Sequence, residues 1–163
     1  MVAGGIDKGQ NKKGFYEPWH VVRQNDIWLK NNGMLWNKIN QHELRINADQ
    51  RKFSPICGLK GCSPINDWEH VPIVLADYNN KHNTPWVLKD PRLCITLKQW
   101  LPMLDGAPPA IILTYRHPIN VASSLLSRNR KSVNDLSEAL YLWLRYNIYA
   151  IQNSQEMCRV VTS

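Results

Sequence analysis

Residues 110–128 read AIILTYRHPINVASSLLSR, and this stretch decides the fold class. Ala110, Ile111, Ile112 and Leu113 form a continuous apolar run of strand length. A strand that is apolar on both faces expects cover on both, which is the habit of a parallel strand between layers of helices. Arg116-His117-Pro118 then break the run. Pro118 suits the first helical position, and the helix it opens is expected to reach about Asn129.

The alternation continues outward on both sides. Upstream, Trp86-Val87-Leu88 predicts a short strand, and Asp90-Pro91 predicts a helix start with Asp90 as N-cap. Leu93, Leu97, Trp100, Leu101 and Leu104 carry that helix's apolar stripe toward Gly106 and Pro108. Downstream, Leu136, Leu140, Trp143, Leu144 and Ile148 mark a long helix from about Asn134 to Ser154, and Arg159-Val160-Val161-Thr162 a last strand.

Near the start, Val21, Val22, Trp28 and Leu29 predict a helix over 18–31, with Gly33 as its stop. A weaker helix is read over 68–78. Residues 36–67, punctuated by Pro55, Gly58, Gly61 and Pro64, read as an irregular insertion or loop. Strands alternating with helices predict a single α/β domain over 1–163, a three-layer parallel sheet flanked by helices. The chain opens on a helix and ends at a strand, so the domain is expected to be incomplete at both ends.

Bulk properties narrow the class. Hydrophobic residues make up 44% of the 163 positions and charged residues 20%. No run approaches the roughly eighteen apolar residues of a membrane span. The polar stretch 1–14 lacks the apolar core of a signal peptide, so a cytoplasmic location is expected. Lys and Arg number 20 against 13 Asp and Glu, for a net charge of +7, which suits a phosphate-rich or polyanionic partner. The basic residues are scattered, and no helix-turn-helix, zinc-finger or RNA-binding strand motif accompanies them, so no specific nucleic acid is expected. Cys57-x4-Cys62 raises a zinc reading, but no second Cys or His pair follows at finger spacing, and no metal is expected.

Ligands of parallel sheets bind beyond the carboxyl ends of the strands. Lys89-Asp90-Pro91-Arg92 and Arg116-His117-Pro118 stand at two such ends. An arginine there, a helix N-terminus and the serines Ser123 and Ser124 together suit an anion: the guanidinium fork grips oxygens while helix N–H groups point at them. Arg92 reads as the partner of Asp90, and the tryptophans, Trp19, Trp28 and Trp36 among them, as packing residues.

The spacing of Arg116 and Ser124 within YRHPINVASSLLSR resembles the 3′-phosphate-binding segment of the sulfotransferases. LKDPRLCITLKQWLPML (88–104) resembles a lysine-containing segment of bacterial sulfotransferase-like and tyrosylprotein sulfotransferase families. GFYEPWHVVRQNDIWL (14–29) and ALYLWLRYNIYAI (139–151) are similar to other parts of that family. The resemblance implies the sulfotransferase fold, which is P-loop NTPase-like. It also implies sulfuryl transfer from 3′-phosphoadenylyl sulfate, a co-substrate, to a hydroxyl or amine.

In that reading Arg116 and Ser124 bind the 3′-phosphate and Lys89 offsets charge at the sulfuryl group. Glu17 takes the acceptor's proton, with His20 as second choice. The family's glycine-rich 5′-phosphosulfate loop has no counterpart, because Gly4-x4-Gly9 is followed by Gln10 and preceded by no apolar strand. The resemblance therefore implies that the chain alone has little turnover. The alternative is a non-catalytic module that binds nucleotides or polyanions through the same 3′-phosphate site.

Overall fold

The longest helix, α4 (Leu136–Asn153), packs against two others, α2 (Leu93–Trp100) and α3 (Pro118–Arg128). The structure, a computed structural model, describes residue 17 and residues 19–40, 87–101, 109–128 and 132–163. Within these, α1 (Trp19–Asn31) comes first and touches α2, and two strands, β1 (Ile111–Thr114) and β2 (Arg159–Thr162), flank the α3–α4 pair in sequence. The class is mixed α/β. The weaker helix read over 68–78 and most of the loop read over 36–67 lie outside the described residues.

Helix ends follow local chemistry. Gly33 takes a left-handed conformation at φ +68, and the bonds Met34 N–H to Leu29 C=O (2.9 Å) and Gly33 N–H to Lys30 C=O (3.0 Å) close α1. That reciprocal pair satisfies carbonyls the helix would otherwise leave open, and it packs Met34 beside Leu29 in the core. At the other end of the fold, Asp135 Oδ1 accepts from the Glu138 N–H at 2.8 Å, and Glu138 Oε2 accepts from the Asn134 N–H at 2.7 Å. This is half of a capping box, with Asp135 as N-cap and the Glu138 carboxylate reaching back one residue further, to Asn134.

The face that α4 buries differs from the expected stripe. Ala139, Leu142, Tyr149 and Ala150 are buried, whereas Leu136 and Leu144 are each 45% exposed. Large apolar residues drew the expectation, but close helix packing is carried by alanines: Ala139 of α4 and Ala122 of α3 are both fully buried in one cluster. Small side chains let two helix axes approach, so the buried face is set by what fits between the helices. Leu29, Met34, Ile39, Ile95 and Val133 complete this core.

The sheet is parallel, with Ile111, Ile112, Leu113 and Thr114 opposite Arg159, Val160, Val161 and Thr162. Parallel strands need a crossover, and α3 and α4 supply it. The expected buried strand is corrected here. Ile112 is 65% exposed, as are its register partner Val160 at 60% and Val161 at 65%. Cover on both faces would need further layers, and two four-residue strands do not create them. Val87 and Leu88 belong to no strand, which corrects the strand read over 86–88 within the described residues. Val87 is 82% exposed, so this apolar residue is not drawn into the sheet's interior.

The start of the irregular stretch is fastened to α4. The Tyr146 hydroxyl donates to the Trp36 carbonyl at 2.8 Å, and Arg145 donates to the Asn40 carbonyl at 2.8 Å. Burial pushes the Tyr146 hydroxyl pKa well above its ordinary value, so it is held as a donor.

Candidate functional site

At the carboxyl end of β1 the ladder runs one bond past the strand, with the Tyr115 N–H donating to the Thr162 carbonyl at 2.7 Å. Arg116 follows at once and is exposed, with no carboxylate partner among the described residues. The first turn of α3 closes with the Val121 N–H donating to the His117 carbonyl at 3.2 Å. The N–H groups of Ile119 and Asn120 precede that bond, at the positive end of the helix dipole. Ser124 is half-buried in the second turn, about 9 Å along the axis from Pro118 at the usual helical rise. Its carbonyl accepts from the Ser127 hydroxyl at 3.0 Å.

A second cluster joins α1 to the segment ahead of α2. Lys89 Nζ meets Glu17 Oε1 at 2.5 Å; the lysine side chain is 53% exposed and the glutamate only 14%. The two residues assigned to charge compensation and to proton transfer are thus direct partners. Next to Lys89, the Asp90 carboxylate is buried and satisfied on both oxygens. Oδ1 accepts from the Arg92 N–H at 2.8 Å and from Arg92 Nη1 at 3.1 Å, and Oδ2 accepts from Asn25 Nδ2 at 3.1 Å.

The bond from the Arg92 N–H lets Asp90 cap the Pro91–Arg92 turn, while α2 itself begins two residues later than expected, with Arg92 at its N-cap and no side-chain cap. Arg92 Nε also donates to Asp26 Oδ1 at 2.6 Å. Burial lowers the Arg92 pKa, but the Asp90 and Asp26 carboxylates outweigh it and the net shift is upward. For Asp26, desolvation outweighs the pull of Arg92, and its carboxyl pKa is raised.

Asn25 is fully buried and fixes its own orientation. Its Oδ1 accepts from Thr96 Oγ1 and Trp100 Nε1, both at 2.8 Å, and an indole can only donate, so Nδ2 must face Asp90. Trp100 in turn meets Trp28 edge-on, with centroids 5.2 Å apart. Trp28 therefore packs, as its residue type suggests.

The fold brings Glu17 and Lys89 together, and it sets Arg116 and Ser124 on one strand–turn–helix unit. The side chains of Trp19 and His20, and all of Cys57, Cys62 and His70, lie outside the described set. No group of three or more His, Cys, Asp or Glu among the described residues is placed to hold a metal ion. Asn25, Asp26 and Thr96 escaped sequence reasoning. A signal was available: Asn25 falls one turn after Val21 in phase with the apolar stripe of α1, where a polar residue must find a buried partner.

No known family model, no curated protein and no solved structure matches this chain. No helix among the described residues is long and apolar enough to cross a membrane.

Proposed function

We propose that this chain is a cytoplasmic sulfotransferase-type polypeptide, of the kind that moves a sulfuryl group from 3′-phosphoadenylyl sulfate to a hydroxyl or amine acceptor, with little turnover by the chain alone. Its β1–β2 pair would then be part of a three-layer parallel α/β domain. The observation that carries the reading is Arg116: an exposed guanidinium, without a carboxylate partner among the described residues, at the carboxyl end of a parallel strand and immediately ahead of a helix N-terminus. Such a place favours a doubly charged phosphate.

Each residue has a role in balancing the transfer. The acceptor oxygen or nitrogen bonds to sulfur while the bond from sulfur to the 5′-phosphate oxygen breaks, leaving adenosine 3′,5′-bisphosphate. Arg116 and the Ser124 hydroxyl hold the 3′-phosphate, so the sulfuryl group is presented in line. Lys89 offsets the charge that grows on the leaving oxygen. Glu17 takes the acceptor's proton; its carboxylate is largely shielded from solvent, with 14% of the side chain exposed.

Calorimetric titration tests the reading: adenosine 3′,5′-bisphosphate should bind at least tenfold more tightly than adenosine 5′-monophosphate, and equal affinities would sink it. The second reading, a non-catalytic nucleotide- or polyanion-binding module, draws on the same ion pair, because Glu17 already neutralises Lys89. It predicts the same nucleotide preference with no release of adenosine 3′,5′-bisphosphate from 3′-phosphoadenylyl sulfate in the presence of acceptors, even when the segment is joined to a glycine-rich 5′-phosphosulfate loop.

A further inference from the structure

Trp143 of α4 reaches the connection between β1 and α3. It is half-buried and absent from the core cluster that Ala139, Leu142 and Tyr149 enter and that Leu140 and Tyr146 pack against. Its indole Nε1 donates to the Arg116 carbonyl at 3.1 Å, across 27 residues of chain. The Tyr115 ring meets the indole edge-on, with centroids 5.7 Å apart and planes at 73°. Both contacts land on the two residues that leave β1 for α3. Hydrophobic packing alone would be served by leucine or phenylalanine; the indole adds to its apolar ring a donor for this carbonyl.

We infer that Trp143 is a positioning residue for Arg116: it pins the Arg116–His117 peptide so that the guanidinium is held for an incoming 3′-phosphate. Arginine side chains lose several rotatable bonds' worth of freedom when they bind an anion, and a backbone fixed in advance reduces what remains to be ordered. Tyr115 stiffens the same turn from the strand side. The inference rests on the proposed 3′-phosphate role of Arg116 and adds to it a residue that touches no ligand.

Trp143→Phe keeps the ring and deletes the donor. By titration calorimetry on the full chain, adenosine 3′,5′-bisphosphate should bind about fivefold to tenfold more weakly to W143F than to wild type, the worth of one hydrogen bond. Adenosine 5′-monophosphate should bind both proteins alike. A purely structural role for Trp143 would weaken both nucleotides together, so an unchanged preference for the 3′-phosphate in W143F overturns the inference while leaving the proposed function standing. If wild type itself shows no preference, both fall. A measurement on wild type needs no variant to fold: in nitrogen-15 NMR the Trp143 indole N–H resonance should move on titration with adenosine 3′,5′-bisphosphate and stay in place with the monophosphate. A resonance indifferent to both in a protein that prefers the bisphosphate also overturns it.

Discussion

The Asn25 amide of α1 donates at 3.1 Å to Oδ2 of Asp90, which lies 65 residues later in the chain and caps the turn into α2. Neither group reaches water, so each depends on the other for its hydrogen bonding. Asn25→Asp keeps the acceptor that serves Thr96 and Trp100 but sets a carboxylate against Asp90. We expect about 3 kcal/mol of destabilisation at neutral pH, the scale of a broken buried charge interaction. Two carboxylates in one site raise one pKa in the folded state, so the added cost is present at neutral pH and relieved as pH falls. Urea denaturation of N25D and wild type should therefore show a stability gap that narrows toward pH 4. A pH-independent gap would leave the clash of charges without support.

Arg116→Ala should weaken adenosine 3′,5′-bisphosphate binding by about 2 to 4 kcal/mol, because truncation leaves the phosphate without its bidentate partner. Because Arg116 is exposed, the melting temperature should hardly change. Ser124→Ala removes one neutral hydrogen bond and should cost about 1 kcal/mol of the same affinity. Calorimetry against both nucleotides reads the two effects separately. Losses that are equal for the monophosphate would remove both residues from the 3′-phosphate site.

Glu17→Gln separates catalysis from binding. Lys89 is more than half exposed, so the ion pair contributes no more than about 1 kcal/mol to folding. The amide cannot accept a proton from the acceptor, so sulfuryl transfer by any protein that carries this segment in active form should stop. Affinity for adenosine 3′,5′-bisphosphate should stay within twofold of wild type. Turnover surviving in E17Q would move the base elsewhere, with His20 the next residue to test.

Burial pushes the Cys94 thiol from 9.0 up to about 11. In the unfolded chain the thiol ionises near 9, whereas in the folded protein it keeps its proton until about pH 11. The stability Cys94 contributes is therefore complete below pH 9 and is lost as pH rises through 11. Relative to Cys94→Ala, wild type should lose about 2 to 3 kcal/mol over that interval. Urea midpoints measured every half pH unit decide it: parallel curves for the two proteins would mean the thiol is not protected. Exposed Cys158 should react with alkylating reagents long before Cys94 does.

Some of the architecture was legible from residues alone because its causes are local. Gly33 ends α1 since only glycine enters a left-handed conformation without strain, and Asp90 with Pro91 opens the turn into α2, the Asp90 carboxylate accepting from the Arg92 N–H two residues on. The apolar run at 111–113 forms a strand and the period of α4 forms a helix, both within a residue or two of expectation. The cap of α4 by Asp135 is equally local, although the sequence reading placed the helix start without naming it.

Sequence alone determined where α1, α3, α4, β1 and β2 form, because propensity, capping and turn chemistry act within a few residues; the strand read over 86–88 was not among them. Only the tertiary structure decided which side of α4 is buried, since that depends on where Ala122 lets α3 approach Ala139. It also decided that Ile112 and Val160 stay exposed, and that Lys89 meets Glu17 across 72 residues. The Trp143 donor finds the Arg116 carbonyl for the same reason. A partner distant in sequence is chosen by packing geometry, and no periodicity along the chain encodes it.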